Sequence, residues 1–213
     1  MTLAANGSSS AIGFATSPTG EPVSWHDKGM VYGSRPSDTF NALDPALVVD
    51  ADGRWWLSFG SFWSGIKMIE INPATGKQAP WNTTRYSLAQ RPPPDAIENS
   101  YVVRHGGDYY LFASFGFCCR GTDSTYRVMV GRSRHITGPY YDRQGTPMLQ
   151  GGGRRSSPRM TGSSDPVGRV CSVPRRRREA RTFSFTTTTT AMTQACPSSD
   201  STGCGGTTEA GRT

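Results

Sequence analysis

The sequence predicts an all-β fold built from a repeated unit of short strands. Three observations carry this. Short aromatic or β-branched runs are bounded by Gly, Pro, Asp and Asn, no helical period extends over ten or more residues, and a segment recurs at an offset of 54 residues. In chain order the expected strands are Ala11–Thr16, Ala46–Val49, Trp55–Ser61, Lys67–Ile71, Tyr101–Arg104, Tyr109–Phe115 and Tyr126–Arg132. Asp52-Gly53 and Gly106-Gly107 fall between consecutive runs, where a two-residue hairpin turn needs residues that tolerate positive φ.

Residues 1–153 and 154–213 differ in kind, with the break at Gly151-Gly152-Gly153. The first part holds 20 of the 22 aromatic residues and, with 13 basic and 12 acidic side chains, is nearly neutral. It has no bulk charge with which to attract a polyanion, so no nucleic-acid partner is expected. The second part holds 10 Arg against 4 acidic residues, 21 Ser or Thr, and no Leu, Ile, Tyr or Trp. Such a composition buries too little apolar surface to offset chain entropy, so residues 154–213 are expected to be disordered. Its Arg run has no interleaved aromatic residues, which speaks against a nucleic-acid-binding tail. No stretch approaches 18 consecutive apolar residues, so no membrane helix is expected, and no signal peptide is visible behind Met1.

The repeat gives the organisation. Asp44 to Leu57 aligns without gaps on Glu98 to Leu111, with Val48/Val102, Val49/Val103, Gly53/Gly107 and Leu57/Leu111 identical. A second echo links Gly13–Gly20 with Gly131–Gly138. Each unit reads as an acid, an inner strand, a Gly turn, an aromatic strand, a further strand and a Thr-Gly turn. Four short strands at this period suggest a β-propeller blade, and a plain sandwich is the alternative.

The repeat also places a carboxylate at one address twice, Asp44 and Glu98, each at the entrance to an inner strand. In a propeller these entrances ring the central channel. Two carboxylates held a fixed distance apart are what glycoside hydrolysis requires. One must donate a proton to the leaving oxygen, and a second negative charge nearby helps to keep it protonated. The competing reading is that both acids cap turns.

Asn41-Ala-Leu-Asp-Pro45, Ser58–Ile66, Ala96–Tyr101 and the stretch from Ser114 through Cys118-Cys119-Arg120-Gly121 to Ser133 resemble glycoside hydrolase family 43, and within it the endo-1,5-α-L-arabinanases. The resemblance covers about Ser8 to Gly153. It implies a five-bladed propeller, of which residues 1–153 supply about two and a half blades, and hydrolysis of internal α-1,5-L-arabinofuranosidic linkages with inversion. It implies Glu98 as general acid and Asp44 as the carboxylate that tunes it and orients substrate. Asn41, Ala42, Leu43, Asp44, Ser61, Phe62 and Trp63 match the family's sugar-contacting segments. Trp63 either stacks on an arabinose ring or packs within the blade. The expected ligand is arabinan or an arabino-oligosaccharide, the expected state a monomer, and the parent family's setting extracellular.

The family's general base is an Asp in a His-Asp-Pro context. His26-Asp27-Lys28 departs from it and reads as a surface turn. The chain is therefore expected to begin inside the second blade, to lack the base, and to be inactive or crippled as written; a non-catalytic carbohydrate-binding or inert propeller fragment is the alternative. A structural calcium or sodium ion is implied by the family, but the His-Tyr-Tyr-Asp strand that helps hold it has no counterpart here. Codons for Phe183–Thr190 read from their third base permit Leu-Val-His-Tyr-Tyr-Asp, so the tail is expected to be an out-of-frame reading of the missing strand. Cys118 and Cys119 read either as a vicinal disulfide or as two packed thiols. Cys171, Cys196 and Cys204 show no metal-ligand spacing, and no metal site is assigned.

Overall fold

The structure, a computed structural model, describes residues 9–155 and the backbone of Thr182–Thr189. Twelve strands form three antiparallel sheets among the described residues. The first contains β1 (Ser10–Ser17) and β2 (His26–Ser34), with β12 (Thr182–Thr189) on the other side of β1. The second runs β3 (Ala46–Val49), β4 (Trp55–Phe59), β5 (Ile66–Asn72) and β6 (Lys77–Gln78), with β7 (Tyr86–Ala89) also paired to β5. The third runs β8 (Ile97–His105), β9 (Asp108–Phe115), β10 (Arg127–Ser133) and β11 (Arg154–Arg155).

The 54-residue echo falls on two hairpins whose pairing registers differ by one residue. Val48 pairs with Trp56 in β3–β4, and Val102 pairs with Leu111 in β8–β9. The β8–β9 hairpin closes on His105 and Asp108, and Gly106 and Gly107 between them have φ of 59° and 89°. Two successive positive φ values match the right-handed twist of the flanking strands and are accessible to glycine without strain.

Strand alternation decides how the sheets stack. On β4 and β5, Leu57, Phe59, Ile69 and Ile71 pack with Ile12, Phe40 and Ala42 towards the first sheet. Trp56, Ile66 and Met68 point the other way and pack with Ile97, Val102, Tyr109, Leu111, Ala113 and Phe115 of the third. The middle sheet is thus covered on both faces. That is why β5 is buried along almost its whole length, including Lys67 and Glu70, whereas β8 mixes buried and exposed residues.

One sequence expectation changes. His26-Asp27 opens β2 and is not a surface turn. Both side chains are exposed while their backbones pair with Thr16 and Ala15 of β1, and Asp27 Oδ1 accepts the Gly29 N–H at 2.8 Å. Backbone pairing carries this strand, so its side chains bear no alternating pattern. Within residues 154–213, expected to be disordered, two stretches are described. Arg154–Arg155 pair with Met129 and Val130, and Thr182–Thr189 pair in unbroken register with β1. A run of β-branched threonines fits a pleated strand even where it lacks the large apolar residues of a core. The expectations for residues 156–181 and 190–213 lie outside the described residues.

Leu57 is fully buried in the layer between the first and second sheets. Leu57→Ala should lower unfolding stability by about 2–5 kcal/mol, the usual cost of a core cavity. A shift of the urea midpoint at unchanged slope checks this, and an unchanged midpoint would contradict the assigned core.

Candidate active site

Asp44 and Glu98 come from neighbouring sheets, near enough for the Glu98 charge to act on Asp44. Asp44 stands two residues before β3 with φ of 53°, a left-handed conformation that aspartate tolerates better than most residues. Glu98 is the second residue of β8, just inside the strand instead of ahead of it. Beyond it the ladder slips: Glu98 pairs with Ser114 and Tyr101 with Phe112, so Asn99 and Ser100 together oppose Ala113. This is a β-bulge, with Asn99 at φ 52°. Bulges turn a strand locally and re-aim the neighbouring side chain. The Asn99 N–H donates to Asp44 Oδ2 at 3.1 Å, tying the first acid to the residue beside the second.

Glu98 is held by two hydroxyls. Ser61 Oγ donates to Oε2 at 2.9 Å and Tyr126 Oη donates to Oε1 at 3.0 Å. Ser61 leads the loop between β4 and β5, whose shape is fixed by close backbone approach. A Cβ on Gly65 would lie 2.1 Å from the Ala89 carbonyl oxygen, so only glycine fits there. Phe62 and Trp63 follow Ser61 at φ of 56° and 46°. The Phe62 N–H donates to the Ile97 carbonyl at 2.7 Å, directly before Glu98, and the Gly60 N–H donates to the Leu43 carbonyl at 2.8 Å, directly before Asp44. One loop therefore registers both acids. The buried Lys67 braces it from below, with Nζ donating to the Ser64 carbonyl at 2.6 Å and Ser87 Oγ at 3.0 Å. Burial and then the Arg85 charge depress this amine to about 8.

Burial and then the Glu98 charge push the Asp44 carboxyl above its ordinary range, against the opposing pull of the Asn99 N–H. Burial likewise raises the Tyr126 hydroxyl, with the Glu98 charge acting the same way, so it stays a donor to Glu98 at neutral pH.

The other sequence-predicted residues divide by burial. Asn41 is buried, and its Oδ1 accepts from Ser10 Oγ. Ala42 is fully buried and its N–H donates to Ser10 Oγ at 3.0 Å. Leu43 meets the loop through its carbonyl. Ser61 is buried on Glu98, whereas Phe62 and Trp63 are half-buried, with the Phe62 ring 6.1 Å from that of Phe117. Tyr126 and the Asn99 N–H were not singled out from sequence. Tyr126 becomes visible once β8, β9 and β10 are set in register, because Ile97 and Arg127 both pair with Phe115. Among the described residues no group of three or more His, Cys, Asp and Glu side chains could hold a metal ion.

The family model for glycosyl hydrolases family 43 matches residues 1–166. The extracellular endo-alpha-(1->5)-L-arabinanase 1 of Bacillus subtilis (strain 168) is 46% identical over 145 residues, which are 68% of this chain and 44% of that protein. Among solved structures, the GH43 endo-arabinanase from Bacillus licheniformis has 46% identity and a TM-score of 0.66, covering 72% of this chain and 52% of that one. The Cellvibrio cellulosa alpha-L-arabinanase complexed with arabinohexaose has 42% identity and a TM-score of 0.63, covering 68% and 50%. The chain spans about half the length of these relatives.

Because the folded state holds the Asp44 carboxyl above its unfolded value, this group favours folding below the unfolded pKa of 3.8, and that contribution is lost as pH rises through the raised value. Asp44→Asn, which keeps an oxygen to accept from Asn99, should therefore gain stability relative to the parent between about pH 4 and pH 7. Urea unfolding of both proteins across that range checks the sign. A difference that does not grow with pH would show that Asp44 is not buried against Glu98.

Proposed function

The chain belongs to glycosyl hydrolases family 43 and has an all-β fold of partial propeller blades, and from that premise we propose that it carries part of the catalytic centre of an endo-acting arabinanase. The observation that carries this reading is the Glu98 carboxylate held by Ser61 and Tyr126, with Asp44 pressed against the same bulge. The substrate is arabinan or an arabino-oligosaccharide, cleaved at internal α-1,5 linkages outside the cell.

In this reading Glu98 is the general acid. Its proton passes to the glycosidic oxygen as the bond to the anomeric carbon lengthens, and the two hydroxyl donors then receive the carboxylate that remains. Fixed donors in a shielded site steady that charge without waiting for solvent to reorganise. Asp44, beside Glu98, presents a carboxyl to a sugar hydroxyl. The half-buried Trp63 offers a ring face to an arabinose unit next to this pair. Inversion needs a second carboxylate to deprotonate water on the opposite face of the ring. In this reading the Asp44–Glu98 pair supplies the acid and its modulator, and the base is a third carboxylate.

Release of reducing ends from linear arabinan tests this. The 213-residue chain should turn over more slowly than a complete relative by about 10²–10⁴-fold, the usual worth of one general acid–base group. Joined to the complementary half of a relative, it should regain turnover, and Glu98→Gln in that protein should abolish it. Full activity of the Glu98→Gln protein would overturn the assignment of the acid.

A further inference from the structure

The loop between β9 and β10 carries a feature that the glycosidase reading does not use. Cys118 and Cys119 are adjacent in sequence, and their Sγ atoms touch at 2.6 Å. Cys119 has φ of 63°, a conformation rare for a residue with a side chain, and this brings the two sulfurs to the same side of the chain. Cys118 is half-buried and Cys119 exposed.

The base of this loop is closed on itself. The Phe117 N–H donates to Thr125 Oγ1 at 3.0 Å, and the Thr125 N–H returns to the Phe117 carbonyl at 3.0 Å. Gly116 precedes the clamp at φ 93°, where a Cβ would stand 2.5 Å from the Thr125 carbonyl oxygen. The Phe117 ring lies 6.1 Å from the Phe62 ring, and the Arg120 guanidinium lies 4.3 Å from its centroid. The sulfur pair therefore sits one residue beyond the Phe117 side of a closed clamp. Tyr126, which holds Glu98, sits one residue beyond the Thr125 side. The contact between the sulfurs, burial and the Glu98 charge together push the Cys118 thiol up to about 11.

We propose that Cys118 and Cys119 are a thiol–disulfide modification site on the wall of the acid pair, oxidised by small-molecule disulfides to a vicinal disulfide. The exposed Cys119 thiolate attacks one sulfur of the small disulfide, forming a mixed disulfide and releasing one small thiolate. Cys118 then loses its proton to solvent and attacks Cys119 Sγ, and the second small thiolate leaves. Two protein thiols are oxidised and one small disulfide is reduced to two thiols, so the electrons balance. The clamp favours the second step because the attacking sulfur already touches its target. The bond formed is readily reversed, because adjacent Cα atoms are about 3.8 Å apart, short of the usual disulfide span of roughly 4.4–6.8 Å. Strained and exposed disulfides are the labile ones.

Both cysteines fall between Arg104 and Arg120 and leave trypsin in one peptide, so the pair can be read without the other cysteines. The full chain is equilibrated in glutathione buffers of increasing disulfide content, quenched with an alkylating agent and digested. The expected product is the 105–120 peptide two hydrogens lighter and free of alkyl groups. It should appear at a disulfide-to-thiol ratio at least about tenfold lower in the folded chain than in the chain unfolded in urea. Two alkyl groups at every ratio, or equal ratios in the folded and unfolded chains, would overturn the proposal. Cys118→Ser should halt the reaction at a glutathione adduct on Cys119, and absence of that adduct would overturn the assigned order of attack.

Discussion

Trp56 and Leu57 are neighbours on β4, and both are buried, one against each adjoining sheet. Residues of a strand alternate in direction, so a strand buried on both faces is fixed in register from both sides. A one-residue slip would exchange an indole for an isobutyl group in two layers at once. The indole has a further anchor, Nε1 donating to Asp50 Oδ2 at 2.9 Å, and Asp50 also gathers the Arg54 side chain and the turn N–H groups of Asp52 and Arg54. The remaining geometry depends on this double burial. It fixes where β4 ends, hence where Ser61 begins its loop, and it presses Ile97 of β8 into the same layer as Trp56 and Met68.

The acid pair inherits its position from that register. Like charges repel, and burying a carboxylate costs hydration, so neither acid gains from approaching the other. The cost is offset by backbone and hydroxyl donors that cannot move away: the Asn99 N–H is held in a bulge, Ser61 in a left-handed loop, and Tyr126 next to a closed clamp. The strained backbone is concentrated here, with Asp44, Phe62, Trp63, Asn99 and Cys119 all at positive φ, and packing around the site over-determines it. A site built this way is rigid before substrate arrives, which suits a reaction whose charge must be met by fixed dipoles.

How much of this is legible in the sequence depends on which force shapes each part. β3, β4, β5, β8, β9 and β10 follow from alternation and glycine turns, because side-chain burial decides them. β2 escapes because it is held by backbone pairing while its first five side chains are exposed. The repeat points to Asp44 and Glu98, although one stands before β3 and the other inside β8. The bulge after Glu98 does not follow from the repeat, since one extra residue in a ladder leaves no mark on composition. Asn41 and Ala42 show the limit from the other side: a recurrent motif marks residues the site needs, yet here they support the Asp44 backbone from the interior. Tyr126 is far from both acids in sequence and joins them through the pairing of three strands.

The strand beside β1 carries the same reasoning to the edge of the fold. β12 lies along β1 as β9 lies along β10, and the echo between Gly13 and Gly131 puts the two pairs in equivalent places: Gly13 opposes Thr186 and Gly131 opposes Leu111. β9 is specified by its side chains, because Leu111 and Ala113 are fixed in the core between sheets. β12 draws on a run of threonines that could pair in several registers with nearly equal backbone hydrogen bonding. An open strand edge accepts such a partner because its unpaired N–H and C=O groups are complementary to any extended chain. The first sheet is therefore specific where it meets the middle sheet through Ile12, and permissive at β12. The acid pair lies on the specific side of this boundary, between the second and third sheets, so its geometry is independent of which strand fills the edge.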